Sequence, residues 1–332
     1  MISAGFLAIL LVFIFLAGRG HGQEVSIGVA VEFTNHAACA YVSKDKGWFD
    51  KEGLNITAYE GYVTGMALAA ALARGDIQVA YICLVPAINA YANAGVPIKI
   101  VAGTHKHGYG LVVNPEKMST VKDLEKLNIR IGCVQVGGAA DLILHKMIDE
   151  YGLDQDKVLN NIQSMNPPKQ VLAIKTGQLD AAFLPEHWAT MAEELGFNML
   201  LTSQDVWPEM QGSVLVVKSD LIDSHPDLVR KLVEISRRAT EWINDHPQEA
   251  AETVWKQLQV TGGQVFPAEA AELASSLELT PAVLLRSISK LEYTTDIDAD
   301  MVQETIDYMA ELGYIRSSFN AEDILDLRYL HE

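Results

Sequence analysis

The 332-residue chain is poor in cysteine and short of positive charge, and each shortage excludes something. Its three cysteines, Cys39, Cys83 and Cys133, stand far apart among apolar neighbours. There is no CxxC pair and no Cys/His zinc spacing, so no metal is expected, and an odd count leaves at least one thiol unpaired in an exported chain. They read as small buried hydrophobes. Lys and Arg total 25 against 43 Asp and Glu, a formal charge of −18. Nucleic acid and anionic membrane surfaces both repel such a balance. Also missing are G-x-S-x-G, H-E-x-x-H and G-x-x-x-x-G-K-[ST], the signatures of three large enzyme classes.

One long apolar run is present, at residues 6–17. It is too short to span a bilayer comfortably and suits the core of a secretory signal. Gly20 and Gly22 place cleavage before Gln23, so residues 1–22 read as a signal peptide and the protein as exported. The usual charged n-region is missing, and an uncleaved N-terminal anchor is the alternative. No cysteine follows the run, which excludes a lipid anchor at that point.

From residue 25 onward strand-like and helix-like segments alternate. VSIGVAV, LNITAYEG, IQVAYICL and PIKIVAGT read as strands with helices between them. The pattern returns as IRIGCVQV, KVLNNIQSM and LDAAFLPE. Such alternation predicts an α/β fold with parallel sheet. RGDIQVAYI (74–82) and TGQLDAAFL (176–184) align without gaps, predicting two copies of one α/β unit. LVV at 111–113 and VLVV at 214–217 read as two crossing strands forming a hinge. Lobe one would then hold residues 23–112 and 213–332, and lobe two residues 113–212. Beyond residue 220, HPDLVRKLVEISRRATEWINDHP, PAEAAELASSLEL and DADMVQETIDYMAELGYI have helical spacing and are expected to pack on lobe one.

GWFDKEGLNI, then ARGDIQVAYI, then P-x-x-N-A-x-x-x-A-G-V-P, LVV and KTGQLDAAFLPEHWA follow in an order that resembles a known family. It is the periplasmic solute-binding family for nitrate, aliphatic sulfonates, taurine and thiamine pyrimidine precursors. The resemblance covers residues 25–220. It implies the type II two-lobed binding-protein fold, a ligand cleft between lobes, and a monomeric receptor that serves an ABC permease without a cofactor. The same scaffold also carries enzymes of thiamine-pyrimidine and menaquinone synthesis. The cysteine-rich motif of that pyrimidine synthase is absent here.

Ligands of parallel α/β sheets sit beyond the carboxyl ends of the strands, and that rule selects candidates. The first connection offers Phe33, Thr34, Asn35 and His36. The second offers Glu60, Gly61, Tyr62 and Thr64, and the third Leu84 and Val85. A loop THKHG adds His105 and His107. Lobe two supplies Gly137, Gly138 and Asp141 of VGGAAD, then Glu186 and His187 of PEHW, and Trp207 as a lid. Trp188 reads as a packing residue of its helix. Glu186 and His36 are the groups available as bases if the chain were an enzyme. VGGAAD has the form of an anion cradle at a helix start, yet no Ser, Thr or Arg accompanies it and Asp141 would repel an anion. The candidates are aromatic, histidine-rich and mildly acidic, which favours a neutral or cationic heterocycle or an amine-bearing ligand over a strongly anionic one.

Overall fold

Eleven strands, divided between two mixed sheets, form the frame of the computed structural model, which describes residues 25–265 and 279–331. In chain order they are β1 (Ser26–Glu32), β2 (Asn55–Tyr62), β3 (Val79–Cys83), β4 (Ile98–His107), β5 (Tyr109–Val113) and β6 (Ile131–Cys133). There follow β7 (Ile162–Ser164), β8 (Ala181–Pro185), β9 (Asn198–Thr202), β10 (Gln211–Lys218) and β11 (Leu291–Glu292). The first sheet runs β11-β4-β10-β3-β1-β2 and the second β7-β6-β8-β5-β9. β1 is buried at nearly every position, the pattern of a strand covered on both faces. Helices Gly65–Arg74 and Leu84–Ala92 pack on one face, and Ala38–Asp45 and Pro226–Asp245 on the other.

The duplication is visible in the topology. β2-β1-β3 and β7-β6-β8 are parallel triplets with the same strand order. Helix Gly65–Arg74, β3 and helix Leu84–Ala92 each begin 102 residues before helix Pro167–Lys175, β8 and helix Glu186–Glu194. Even the caps correspond: Thr64 accepts the Ala67 N–H and Asn166 accepts the Lys169 N–H. Replacing Asn166 by alanine is expected to cost about 1 kcal/mol in denaturant unfolding; no loss would mean that water serves that N–H equally well.

Each triplet is extended by an antiparallel strand brought in by a crossing connection, β10 beside β3 and β5 beside β8. The first crossing lies at Gly108, not near residue 112, because LVV is already paired in the second sheet. His107 (φ +62°) and Gly108 (φ +97°) are both left-handed and make the turn. The return runs through helix Ser203–Val206 into β10.

Other expectations also need correction. THKH is no loop: β4 continues through His107, paired with β10 and β11, so His105 and His107 are buried. KVLNNIQSM begins as helix Gln155–Leu159 before β7, and the strand within IRIGCVQV is only three residues long. Helices Pro247–Val265 and Pro281–Ile288 continue the helical character expected beyond residue 220. Most of PAEAAELASSLEL, like the N-terminal apolar run, lies outside the described residues. The C-terminal segment does pack on the first sheet's helices but also reaches the second unit: Tyr308 donates to Asp149 (2.5 Å), and Lys146 lies 3.5 Å from Glu304.

Candidate functional site

The carboxyl ends of β1, β3, β6 and β8 converge on one cavity of about 40 Å³. Both units line it. Glu32, Thr34, Thr64, Gly65, Met66 and Cys83 come from the first, and Tyr109, Gln135, Gly138, Ala139, Ala140 and Trp188 are among those from the second. At about 40 Å³ the cavity has room for a few waters only. An organic solute would enter by separation of the two sheets about Gly108 and residues 203–210.

The carboxylate of Glu32 is the cavity's charge. It is buried at the end of β1, its Oε1 accepting the Cys83 N–H (2.7 Å) and its Oε2 the Cys83 thiol (3.0 Å). Burial pushes its pKa above the ordinary carboxylate range, against those hydrogen bonds. Cys83 Sγ also lies 2.8 Å from Tyr109 Oη, 3.4 Å from Ser213 Oγ and 3.5 Å from His36 Nδ1. Burial, then the neighbouring Glu32, keep that thiol protonated well above its usual range. His36 Nε2 is 2.7 Å from the carbonyl of Gly108. A carbonyl only accepts, so Nε2 carries the proton. Burial lowers the imidazole pKa to about 4, so the ring is neutral and Nδ1 presents a bare lone pair towards Cys83. A continuous path thus joins the cavity carboxylate to the crossing.

A second network joins the units beside the same crossing, where Gly108 O also accepts the Glu186 N–H (2.8 Å). Glu186 accepts from the Thr190 hydroxyl and lies 3.2 Å from Lys290 Nζ, which also reaches Glu193 (2.8 Å). Burial raises Glu186 to about 7, against the attraction of Lys290. His187 Nδ1 accepts the Asn35 N–H (3.3 Å), its ring packs 4.3 Å from Trp188, and its buried Nε2 has no partner.

Of the residues selected from sequence, Thr34, Thr64 and Gly138 line the cavity. Phe33 reaches it indirectly, its ring 6.0 Å from Trp188. Asn35 turns instead to Ser287 Oγ (2.6 Å), and Leu84 is core. Gly61 is held in β2 opposite Val31, and Tyr62 donates to Glu60. His105 packs against His36, while His107 sits at the crossing. Asp141 answers the cradle question: its carboxylate accepts the Gly137 N–H (2.9 Å) and the Tyr314 hydroxyl, occupying that turn itself. Trp207 is no mouth-side lid, being buried edge-on to Tyr308 with Lys146 over its ring. Sequence reasoning passed over Glu32, Cys83 and Tyr109, and read Trp188, which lines the cavity, as a packing residue. The signal was available for Glu32, an acid closing an otherwise apolar parallel strand.

The NMT1-like family matches residues 20–258, well over half of the chain. The chain belongs to the NMT1-like family. Among relatives of this NMT1-like chain, the nitrate import ATP-binding protein of Synechocystis is 24% identical over 251 residues, covering 69% of the chain and 37% of that protein. The taurine-binding periplasmic protein of Escherichia coli K12 is 26% identical over 215 residues, covering 63% of the chain and 64% of that protein. The chain therefore spans less than two thirds of either. In fold it is similar to the alkanesulfonate-binding protein SsuA of Xanthomonas axonopodis bound to MOPS, with a TM-score of 0.72, 15% identity, and coverage of 91% and 98%. The fold is that of the binding components of ABC importers, as the residue pattern implied.

Proposed function

We propose that this protein is an extracytoplasmic receptor that captures a small amine-bearing solute between its two sheets and delivers it to an ABC importer. The observation that carries the reading is the cavity shared by both units at the carboxyl ends of their strands, with a buried carboxylate and neither Lys nor Arg in its lining. An ammonium would meet Glu32. Two helix N-termini, at Gly65–Met66 and at Gly138–Ala140, also line the cavity, so an acidic group on the same solute would meet favourable dipoles. Ligand touching both units would favour the closed form by those added contacts.

The test is calorimetry and thermal shift of residues 23–332 with taurine, with ethanesulfonate, which lacks the amine, with nitrate, and with thiamine pyrimidines. Saturation at a hundredfold excess over Kd is expected to add about 2.7 kcal/mol for an amine-bearing compound. Glu32→Gln is expected to weaken that binding about ten- to a hundredfold, the worth of one buried charged hydrogen bond. Equal or tighter binding of nitrate or ethanesulfonate would overturn the ligand class. Consumption of the bound compound would favour an enzyme. Against that, His36 and Glu186 stand outside the cavity lining.

A further inference from the structure

Glu32, His36 and Cys83 come from three segments, yet one oxygen, one nitrogen and one sulfur of theirs lie within 4.8 Å of one another. No other such group of three occurs among the described residues. All three atoms are lone-pair donors. His36 Nδ1 is bare because Nε2–H is spent on Gly108, and Glu32 Oε2 and Cys83 Sγ face each other at 3.0 Å. A single thiol proton cannot serve both the carboxylate and the imidazole. Gathered at one point, a carboxyl oxygen, a bare imidazole nitrogen and a sulfur form the mixed donor set that a cation can bridge.

We propose that Glu32, His36 and Cys83 bind one first-row transition ion of the Zn²⁺ class, with a fourth coordination position open to the cavity. Tetrahedral Zn²⁺ with S, N and O ligands sets its ligand atoms about 3.5 Å apart. The observed separations from Cys83 Sγ, 3.0 Å to Glu32 and 3.5 Å to His36, lie close to that spacing, and the remaining pair lies within 4.8 Å. Soft sulfur with imidazole and carboxylate suits zinc over calcium or magnesium. Outer contacts of the kind that metal sites use are also present: Gly108 O fixes the His36 tautomer, while the Tyr109 and Ser213 hydroxyls lie beside the sulfur. The ion and an ammonium are alternative partners of Glu32, so a loaded cleft would take a solute through its own lone pair.

The experiment uses reduced, chelator-treated protein with no organic solute, so its outcome is independent of the receptor reading. Titration with Zn²⁺ is expected to show one ion per chain, and Co²⁺ a thiolate-to-metal absorption band. Cys83→Ser should abolish the band, and Glu32→Gln should weaken Zn²⁺ binding more than about a hundredfold, beyond the usual loss for an outer-shell partner. Cys133→Ala, altering a thiol outside the cluster, should retain both. Circular dichroism confirms that each variant is folded. Should Cys83→Ser misfold, Glu32→Gln with the absorption band decides alone. Cobalt binding without a thiolate band, or zinc affinity untouched by Glu32→Gln, would overturn the proposal.

Discussion

Gly108→Ala is expected to lower the stability of the protein by about 3 kcal/mol, against about 1 kcal/mol for Gly75→Ala. The two glycines have nearly the same backbone, φ +97° and +91°. Each replacement therefore carries the strain of a left-handed alanine. They differ in surroundings. A Cβ at Gly75 meets nothing within 4 Å, whereas one at Gly108 lies 2.7 Å from His36 Nε2 and 3.2 Å from both His105 Cε1 and Leu291 Cδ2. The nearest of them, His36, is buried and held between the Gly108 carbonyl and Cys83. The added methyl must therefore displace the imidazole or bend the crossing. Denaturant unfolding of both variants isolates the crowding from the strain. Equal losses would show that the crossing relaxes freely and that His36 does not report on it.

That position also shows where the sequence was readable and where it was not. The repeat could be seen because two copies keep Gly, aliphatic and Ala-aromatic-aliphatic positions in register: Gly75 and Gly177 are exposed left-handed turns, and the apolar positions are buried in or just before β3 and β8. The crossing was placed four residues late because LVV looks alike whichever sheet pairs it; hydropathy does not name a partner strand. T-H-K-H reads as a loop on polarity alone. It is a strand because β10 and β11 supply its hydrogen bonds from more than a hundred residues away. The site suffered from the same blindness to tertiary context. Cys83 among Ile, Tyr and Leu is a hydrophobe on composition, and only the fold brings Glu32, Tyr109 and Ser213 around its sulfur. The rule about carboxyl ends of parallel strands led to the right loops, yet of the candidates it selected only Thr34, Thr64 and Gly138 line the cavity. That rule reads topology, not polarity.

Acid is expected to destabilise the folded protein below about pH 6.5, and Glu186→Gln to make that dependence steeper. Burial lowers the pKa values of His36, to about 4, and of His105 and His187; His107 shifts the same way. Unfolded, these imidazoles take up protons near pH 6.5; folded, they refuse them, so acid favours the unfolded chain. Glu32 and Glu186 act in the opposite sense. Their raised folded pKa values mean that they hold protons which the unfolded chain has released; the stability this gives is full below about pH 4.5 and lost as pH rises, through about 7 for Glu186. At pH 5.5 the imidazoles outnumber the carboxylates by one or two protons. Stability should then rise with pH by about 1.4 to 2.7 kcal/mol per unit. Removing the Glu186 proton site adds one proton to the difference, or about 1.4 kcal/mol per unit. Above pH 7 the same variant should be more stable than the parent, since a buried carboxylate no longer has to ionise while Lys290 keeps Glu193 at 2.8 Å. Urea unfolding from pH 5 to 8 measures both slopes. A parallel pair of curves would show that Glu186 is ionised throughout, held by Lys290, and that the latch between the two units is an ion pair at every pH tested.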